Sequence, residues 1–533
     1  MLFSEGAKRG IAALLQCTAI LSLALFAGCG GGGGGGGSEP EPETKWTIMY
    51  YGDADNNLEL DLLIDVQEMK AGFVDGQGVN LIVLFDRIDG ESSDSSVFGQ
   101  NFTDTRLYRI TRGNAWRLSG GDEFPEITTG SSYEANMGDA ETLRKFITFC
   151  KANYPAEKYA LILSNHGGGP KKKKASSAKS LSPDLKSQTK DICWDDTTYI
   201  LTHSTDFLYT AEISDTLTSA ESVDLLGLDA CLMSSVEFAY QFRNDSSNTG
   251  FKAGIMVACP PTETGYGWAY DAIFGRLKSG GGNNGTADTT LGGYELYYDP
   301  ETLTAQDLGA IIVEEQRDST AGDSSQALTC LDLSKVTAVK DAVDAMAVAL
   351  ATDSEKDDLE TLRGNAPTAS LLHYFGETDI NEWAYYLFFD LYNLAAAING
   401  SANFSVTVRG DAAAVRDAVD AFVLCSFANS DFSGFTEGKS GVHIFFPDGD
   451  CLVSADIDNN GTDENVNLWY WQDWYNAIDI SGEYTDAPLG SLAWCSGGAT
   501  ASNGTVENWF ELLDCWFDTQ TIGTLSNFNY YSY

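Results

Sequence analysis

Two reactive side chains follow apolar runs that are typical of buried strands. YALILS, residues 159 to 164, leads into His166 and three glycines, and DLLGLD, residues 224 to 229, leads into Cys231. A cysteine can attack a carbonyl carbon when a histidine acts as its acid/base partner. Because the carboxyl ends of neighbouring parallel strands meet at one edge of a sheet, we expect His166 and Cys231 to share one crevice.

Glycine neighbours distinguish His166 from the other histidines of the chain. Glycines let the backbone come close to a substrate carbonyl, and the N–H groups of Gly167 and Cys231 are candidates for holding the developing oxyanion. Only four histidines are present. The other three lie in a polar run, behind an apolar pair and within a core-like strand: His203, His373 and His443.

The attacking species of a cysteine is the thiolate, so the surroundings of Cys231 decide its reactivity. We expect a helix over residues 233 to 243, and the positive end of that helix would favour the thiolate. Two simpler interpretations stay open from the residues alone. Cys231 could be a small buried hydrophobic residue, and His166 could be a turn residue.

The elements that must position these residues alternate along the chain from Trp46. Continuous apolar runs predict strands buried on both faces, and amphipathic stretches between them predict helices, which together favour an α/β fold with a largely parallel sheet. We predict strands at residues 46 to 51, 80 to 86, 159 to 164, 224 to 229, 253 to 258 and 441 to 446. We predict helices at 57 to 71, 139 to 153, 210 to 220, 233 to 243, 335 to 352, 380 to 398 and 411 to 427.

The charge of the chain argues against a nucleic-acid partner. Its 533 residues include 77 Asp and Glu against 32 Lys and Arg, for a formal net charge of −45. Positive charge is concentrated in residues 171 to 190, which hold seven Lys and one Asp. A surface able to neutralise phosphates is therefore not expected outside that short segment.

The first 29 residues predict an export signal. Lys8 and Arg9 precede an apolar stretch that ends in Ala27, Gly28 and Cys29, and this stretch is short for a membrane span. The small residues before Cys29 resemble the cleavage box of bacterial lipoproteins, in which the cysteine is lipidated. Residues 30 to 45 begin with a run of glycines and predict a flexible tether between a lipid anchor and the folded domain.

Cysteine usage leaves one thiol to be explained. Eleven cysteines are present, of which Cys17 lies in the signal and Cys29 is the predicted lipidation site. Nine remain, and because nine is odd, at least one is unpaired even if the others form disulfides after export. Cys231 is the candidate for that unpaired thiol.

Five segments together resemble the clostripain family of cysteine peptidases, which belongs to the caspase-like clan. They occur in the order WTIMYYGDADNNLE, LILSNHGGG, DLLGLDACLMSSVEFAY, TETGYGWAY and SGVHIFFP. The resemblance covers residues 46 to 478 and implies a caspase-like α/β/α sandwich with a largely parallel central sheet. It also implies an exported endopeptidase that cleaves peptide bonds after Arg or Lys and needs no cofactor for its chemistry.

The resemblance assigns roles to individual residues. His166 matches the catalytic histidine, Cys231 matches the nucleophile, and Asp229 matches an acidic residue that binds the basic side chain of the substrate. Glu263 is a second candidate for that pocket. Pro170 stands where the family often has Trp, which puts the strength of the basic preference in question but leaves the His166 and Cys231 pair intact.

The lysine-rich segment gains an interpretation from the same family, in which the loop after the catalytic histidine is commonly cut during activation. An enzyme that cleaves after basic residues can make this cut itself, with Lys174, Lys179, Lys186 and Lys190 as candidate sites. Residues 171 to 190 are accordingly predicted to be an activation loop of a zymogen. The expected product is a monomer of two associated chains, with a solvated loop as the alternative.

A calcium site is expected near residues 456 to 461. Asp456, Asp458 and Asn460 alternate and are followed by Gly461, like the first half of an EF-hand loop, and clostripain-like enzymes are often calcium-dependent. A solvated acidic turn is the alternative. Residues 479 to 533 are predicted to be a C-terminal extension whose role stays open.

Two alternative functions are kept beside the peptidase. The first is a surface binding lipoprotein built on an inactive peptidase scaffold, and the second is a caspase-like peptidase with a different specificity. The expected partners of the leading hypothesis are protein or peptide substrates, and a membrane contacted only through the lipid anchor.

Overall fold

The structure is a computed structural model, and it describes residues 44–169, 192–197, 206–280, 297–364, 371–374, 388–446, 452–455, 464–467, 492–496 and 505–517. The predicted signal peptide with Cys29, most of the tether, the lysine-rich segment and the predicted calcium loop lie outside these residues. The chain from Glu43 onwards forms one compact unit. None of the helices within the described ranges is long and apolar enough to cross a membrane.

Fifteen strands occur in the described part of the chain. They are β1 (Trp46–Ala54), β2 (Val79–Arg87), β3 (Arg106–Thr111), β4 (Asn114–Leu118), β5 (Lys158–Ser164), β6 (Ile192–Asp195), β7 (Asp206–Leu208), β8 (Val223–Asp229), β9 (Ala253–Ala258), β10 (Ala327–Asp332), β11 (Phe388–Asp390), β12 (Val423–Ala428), β13 (His443–Phe445), β14 (Leu452–Ala455) and β15 (Glu464–Asn467).

Nine of these strands form the central sheet, in the order β12-β10-β9-β8-β5-β1-β2-β3-β4. The five strands in the middle, from β9 to β2, are parallel, and antiparallel strands extend the sheet on both sides. The central strands are apolar and buried on both faces, as the continuous runs predicted. The largely parallel α/β sheet predicted from the sequence is therefore confirmed.

Eleven α-helices are present within the same ranges. They are α1 (Glu59–Gly72), α2 (Ala140–Asn153), α3 (Thr210–Thr216), α4 (Val236–Gln241), α5 (Tyr270–Gly275), α6 (Ala305–Ser319), α7 (Val336–Leu350), α8 (Asp353–Arg363), α9 (Leu391–Gly400), α10 (Val406–Phe422) and α11 (Trp509–Phe517).

The helices cover the sheet from both sides and produce an α/β/α sandwich. We call the side of α1, α5 and α6 the first face, and the side of α2, α3, α4 and the later helices the second face. Side chains alternate between the two faces along each strand, so Tyr50 of β1 packs into the first face and Tyr51 into the second. The sheet edge formed by the carboxyl ends of the parallel strands lies between these two layers.

Some predicted elements differ from the observed ones. The run 441 to 446 contributes only the short strand β13, which pairs with β11 outside the central sheet. The helix predicted at 411 to 427 ends at Phe422, because Val423, Cys425 and Phe427 are buried as part of the edge strand β12. Propensity and apolar content could not distinguish this strand from a continuing helix.

The described parts of the predicted C-terminal extension pack against the rest of the fold. Trp494 and Trp509 are buried, and Nε1 of Trp509 donates a hydrogen bond to the carbonyl oxygen of Phe445 at 3.0 Å. The backbone N–H of Ala493 donates to Oε1 of Gln241 in α4 at 2.8 Å. These segments therefore pack into the second face of the sheet.

Candidate active site

His166 and Cys231 leave neighbouring strands of the sheet at the same level. Ser164 and Asp229, the last residues of β5 and β8, are paired in parallel register, so each candidate lies two residues beyond this pair. Both side chains line one open pocket with about 450 Å³ of empty space. The predicted crevice shared by the histidine and the cysteine is present.

Gly167 brings the two connecting loops into direct contact. A Cβ atom added at Gly167 would clash with the carbonyl oxygen of Cys231 and lie 3.0 Å from its backbone nitrogen. Only glycine fits at this position without moving the nucleophile loop. The two residues predicted to supply oxyanion donors are therefore neighbours in space.

The imidazole of His166 is held from the loop between β1 and α1. Its Nε2 lies 3.0 Å from Oδ1 of Asn57. The preceding residue, Asn165, accepts a hydrogen bond from the His166 backbone N–H and donates one to the carbonyl oxygen of Asp53. The ring of Trp194 lies 6.0 Å from the imidazole, measured between centroids.

Cys231 is a half-buried free thiol. Its Sγ accepts a hydrogen bond from the backbone N–H of Glu263 at 3.2 Å. Burial raises the pKa of the thiol to about 11. The nearby carboxylates of Glu263 and Asp229 add to this rise, whereas the hydrogen bond from the Glu263 backbone opposes it. The thiol is therefore protonated at neutral pH in this arrangement.

The expected helix of residues 233 to 243 begins later, at Val236, and ends at Gln241. Ser235 has extended backbone angles and caps α4, since its Oγ accepts from the N–H groups of Glu237 and Phe238. Cys231 thus precedes α4 by five positions, and the prediction that the helix end favours its thiolate is wrong.

The residue after Cys231 has an unusual backbone conformation. Leu232 has φ of 61°, in the left-handed region that side chains other than glycine rarely adopt. Its N–H donates to the carbonyl oxygen of Pro261 at 2.8 Å, and its own carbonyl oxygen lies 3.1 Å from Nε2 of His443. These contacts hold the turn that presents Cys231. Burial lowers the pKa of His443 to about 3, so this histidine is neutral and structural.

Three acidic residues, which we call the pocket carboxylates, line the pocket beside Cys231: Asp65, Asp229 and Glu263. Asp229 is 4% exposed, and its Oδ2 accepts from the hydroxyl of Tyr270 at 2.7 Å. Burial raises the pKa of Asp229 to about 6. The pKa values of Asp65 and Glu263 are raised well above their ordinary values, mainly by burial and secondly by the charge of Asp229.

Asp65 enters the pocket from α1, on the first face of the sheet. Its Oδ2 accepts from the hydroxyl of Tyr50 at 3.0 Å, and its buried Oδ1 has no hydrogen-bond partner among the described residues. A Cβ atom added at Gly267 would lie 2.9 Å from Oδ1 of Asp65 and 3.2 Å from Oδ2 of Asp229. The carboxylates of Asp65 and Asp229 thus both lie close to the backbone of Gly267, which has no side chain.

A second acidic group, which we call the closed carboxylates, lies on the second face of the same sheet edge. Its members are Asp53, Asp55, Asp86 and Glu134. Asp53 and Asp86 are paired in register on β1 and β2, and both are completely buried. Burial, together with repulsion from Asp195, raises the pKa of Asp55 to about 7, and burial with repulsion from Asp55 and Asp195 raises that of Glu134 to about 8.

Metal binding at the described residues is not indicated. No group of three or more His, Cys, Asp or Glu side chains within the described ranges is arranged to hold a metal ion. The predicted calcium ligands Asp456, Asp458 and Asn460 lie outside those ranges, as do the four candidate cleavage sites: Lys174, Lys179, Lys186 and Lys190.

Sequence reasoning identified Asp229 and Glu263 for the pocket but missed Asp65 and Asn57. Asp65 lies within the helix predicted at residues 57 to 71, and its sequence signal is an acidic residue on the buried face of that helix. Asn57 lies in the first of the five segments that resemble the clostripain family. Its position in that segment was the only indication in the sequence, and no pattern there assigned a role to it.

Comparison with known proteins identifies one family over most of the chain. Residues 50–509 match the profile of the clostripain family. Clostripain from Hathewaya histolytica is 46% identical over 491 residues, which cover 92% of this chain and 90% of that protein.

Two solved structures resemble this one at lower similarity. A secreted C11 cysteine protease from Bacteroides thetaiotaomicron, in complex with an irreversible peptide inhibitor, aligns with a TM-score of 0.49 and 16% identity over 81% of this chain and 98% of that chain. An inactive zymogen C11 protease from Parabacteroides distasonis aligns with a TM-score of 0.48 and 16% identity over 76% of this chain and 93% of that chain.

Proposed function

The chain belongs to the clostripain family of cysteine peptidases, and from this premise we propose that it cleaves peptide bonds after Arg or Lys with Cys231 as nucleophile and His166 as acid/base. The observation that carries the proposal is the single pocket in which Cys231, His166 and the pocket carboxylates meet. A thiol, an imidazole and a buried negative charge are the three parts that such a reaction needs.

The protonated state of Cys231 defines the first step of the proposed mechanism. Because the thiol pKa is raised to about 11, attack on the carbonyl carbon requires transfer of the thiol proton to His166. The imidazolium then gives this proton to the departing amine, which leaves an acyl-enzyme for water to hydrolyse. Backbone N–H groups at Gly167 and Cys231 are proposed to stabilise the negative oxygen formed at each attack.

The proposed preference for Arg and Lys rests on the pocket carboxylates. A guanidinium or ammonium group entering the pocket would pair with Asp229 and Glu263, and its positive charge would favour the ionised form of Asp65 as well. The same charges would repel an Asp side chain of a substrate and would gain little from Asn. The pocket chemistry thus favours basic specificity over cleavage after Asn or Asp.

Self-activation in the lysine-rich segment is part of the proposal. The described residues on either side of the segment support it, because Gly167 forms a β-bridge with Ile192. The described residues that flank the segment therefore lie side by side at the candidate site. Candidate cleavage positions are Lys174, Lys179, Lys186 and Lys190, and the two resulting chains would stay joined through the central sheet.

Export and anchoring complete the proposed function. The charged start, the apolar stretch and Cys29 support export followed by lipidation of Cys29, with residues 30 to 45 as the tether. Calcium at Asp456, Asp458 and Asn460 is proposed as a structural cation, since the reaction itself uses only the thiol and the imidazole.

The decisive experiment is digestion of a peptide library by the purified full chain and by its Cys231→Ala variant, with and without a chelator. We expect cleavage after Arg and Lys by the first protein and none by the second. We also expect the wild type to mature into two associated chains while the variant stays single. Turnover by the variant would contradict the assignment of Cys231, and a single-chain wild type with full activity would remove self-activation.

A further inference from the structure

The loop between β1 and α1 carries an exposed residue in contact with the catalytic histidine proposed above. Oδ1 of Asn57 lies 3.0 Å from Nε2 of His166, although the two residues are 109 positions apart in the sequence. Asn57 is exposed, so its side chain contributes little to the hydrophobic core. Its contact with the imidazole is therefore the feature of this side chain that needs an explanation.

We propose that Asn57 is a positioning residue for His166, holding the ring so that Nδ1 receives the proton of the Cys231 thiol. The inference rests on the proposed function and adds to it the orientation and tautomer of the acid/base. A carbonyl oxygen of an amide side chain can only accept a hydrogen bond, so Nε2 must be the protonated nitrogen of the ring. In a neutral imidazole the other nitrogen, Nδ1, then carries the free electron pair.

The proton balance of the reaction is consistent with this arrangement. The thiol proton moves from Sγ of Cys231 to Nδ1 and later from Nδ1 to the amine nitrogen of the departing peptide. The proton on Nε2 stays in place throughout and remains bound to Oδ1 of Asn57. When the ring is positively charged, this hydrogen bond becomes charge-assisted and stabilises the imidazolium.

The loop that carries Asn57 is fixed by its own side chains. Nδ2 of Asn56 donates to the carbonyl oxygen of Trp194 at 2.7 Å, and Oδ1 of Asn56 accepts from the N–H of Leu58 at 2.9 Å. One position earlier, the hydroxyl of Thr197 donates to Asp55 at 2.6 Å. An exposed side chain on a loop held in this way can present its oxygen at a fixed position.

The backbone of His166 is tied to the same loop from the other side. Asn165 donates from Nδ2 to the carbonyl oxygen of Asp53, and its own N–H donates to the carbonyl oxygen of Asp229 at 3.3 Å. Both partners of the bond between Asn57 and His166 are thus attached to the carboxyl ends of the central strands. The geometry of the hydrogen bond is set by the sheet rather than by a mobile surface contact.

The test compares three substitutions at Asn57 with a surface control. Asn57→Ala removes the acceptor, and Asn57→Asp keeps an acceptor and adds charge. Asn57→Gln keeps the amide but places it one methylene group further from the backbone. Asn114→Ala is the control, because Asn114 is exposed in the hairpin of β3 and β4, and its Nδ2 donates locally, to the carbonyl oxygen of Arg112. The full chain is assayed with an Arg-containing peptide, and its melting temperature is recorded.

For Asn57→Ala we expect kcat to fall by roughly 10- to 100-fold with KM little changed, since correct general acid–base geometry contributes effects of this order. Asn57→Asp should retain more activity than Asn57→Ala. It should also shift the acid limb of the pH profile upward, because an added carboxylate favours the imidazolium. The other titratable groups that line the pocket with His166 are Cys231 and the pocket carboxylates, and they are unchanged in every variant.

A second measurement separates this inference from the proposed function. The rate of Cys231 alkylation by iodoacetamide is measured against pH, with Cys231→Ala as the blank, and it needs no peptide hydrolysis. We expect slower alkylation near neutral pH in Asn57→Ala and an upward-shifted profile in Asn57→Asp. Wild-type kcat, pH profile and alkylation in Asn57→Ala would overturn the inference, as would a loss confined to KM. A wild type that cleaves no peptide would overturn the proposed function alone.

Discussion

The pocket carboxylates and the closed carboxylates occupy opposite faces of one sheet edge. Asp229 ends β8 on the first face, and Asp53 and Asp86 lie near the ends of β1 and β2 on the second. In both groups, burial and mutual repulsion raise the pKa of carboxyl groups. The residue types and the physical causes are the same, but the pocket carboxylates line a pocket that also holds a thiol.

Access, rather than acidity, decides what each group can do. A cationic side chain of a substrate can reach the pocket carboxylates and neutralise their repulsion, so their charge can be converted into binding free energy. No described cationic side chain forms an ion pair with the closed carboxylates, and protonation is the way the described residues offer to relieve their repulsion. Their effect should therefore appear in the pH dependence of stability and not in substrate selection.

The largest expected effect is on selectivity at Asp229. Asp229→Asn should lower kcat/KM for Arg and Lys peptides by roughly 100-fold, since removing one partner of a buried charge pair costs about 2 to 5 kcal/mol. Tyr270 can still donate to the amide oxygen, so the fold should be retained. The measurement is kcat/KM for matched peptides with Arg, Lys or a neutral residue before the scissile bond.

Asp86→Asn is the matched control for that experiment, because it removes a buried charge from the other face of the same edge. We expect it to leave the ratio between basic and neutral peptides within about twofold of the wild type. An equal loss on all peptides in Asp229→Asn would show a structural role for Asp229 and would remove the distinction between the two groups.

The second effect is on stability. The pKa values of Asp55 and Glu134 are raised to about 7 and about 8, so the folded state holds protons that the unfolded state loses from about pH 4 upward. The stabilisation linked to those protons is complete below the unfolded pKa values and is lost as pH rises through the folded ones. The free energy of unfolding should therefore fall between about pH 5 and about pH 8, by up to about 1.4 kcal/mol per pH unit for each of these two groups.

Denaturant unfolding of the Cys231→Ala protein measures this fall without self-digestion. Adding Asp86→Asn should reduce the fall by roughly 1 to 2 kcal/mol, because Asp86 is itself a carboxyl group whose pKa is raised by burial and acidic neighbours, and the amide does not titrate. Adding Asp89→Asn instead, at an exposed position three residues away, should leave the curve unchanged. A free energy that stays constant or rises over the same pH range would contradict the interpretation of the closed carboxylates.

The smallest expected effect is at Asp65. Asp65→Asn should reduce kcat/KM for Arg peptides by about tenfold, because it removes one attractive charge but also relieves repulsion at Asp229. Tyr50 can still donate to the substituted side chain at Oδ1. If kcat/KM for Arg peptides is unchanged but the melting temperature changes, Asp65 has a structural role and does not bind the substrate.

The central strands and the meeting of His166 with Cys231 could be predicted because they follow from local sequence patterns. Continuous apolar runs predicted β5 and β8, and the rule that parallel strands share one carboxyl edge predicted that His166 and Cys231 meet. The strands β10 and β12 were missed because they are short and lie beside helical segments of similar apolar content. Local patterns distinguish strand from helix poorly at such lengths.

The missed site residues have a different origin. Asn57 and Asp65 reach the site from a loop and a helix that precede His166 by about a hundred positions, and such contacts leave no periodic signal. The error at α4 had a local cause, since Ser235 is the N-cap and sets the helix start at Val236. The turn at Leu232 that separates Cys231 from α4 depends on Pro261 and His443, which the local sequence cannot indicate.

The adjacency of β5 and β8 has a consequence for the life of the enzyme. Residues 170 to 191 separate His166 from Cys231 in the chain, so a cut there would assign the acid/base and the nucleophile to different polypeptides. Before the cut, folding is unimolecular, but afterwards recovery from unfolding requires two fragments to find each other and depends on their concentration. If the proposed cut is made, a dilute enzyme of this design would fold once, and its working lifetime would be set by the rate at which the assembled sheet comes apart.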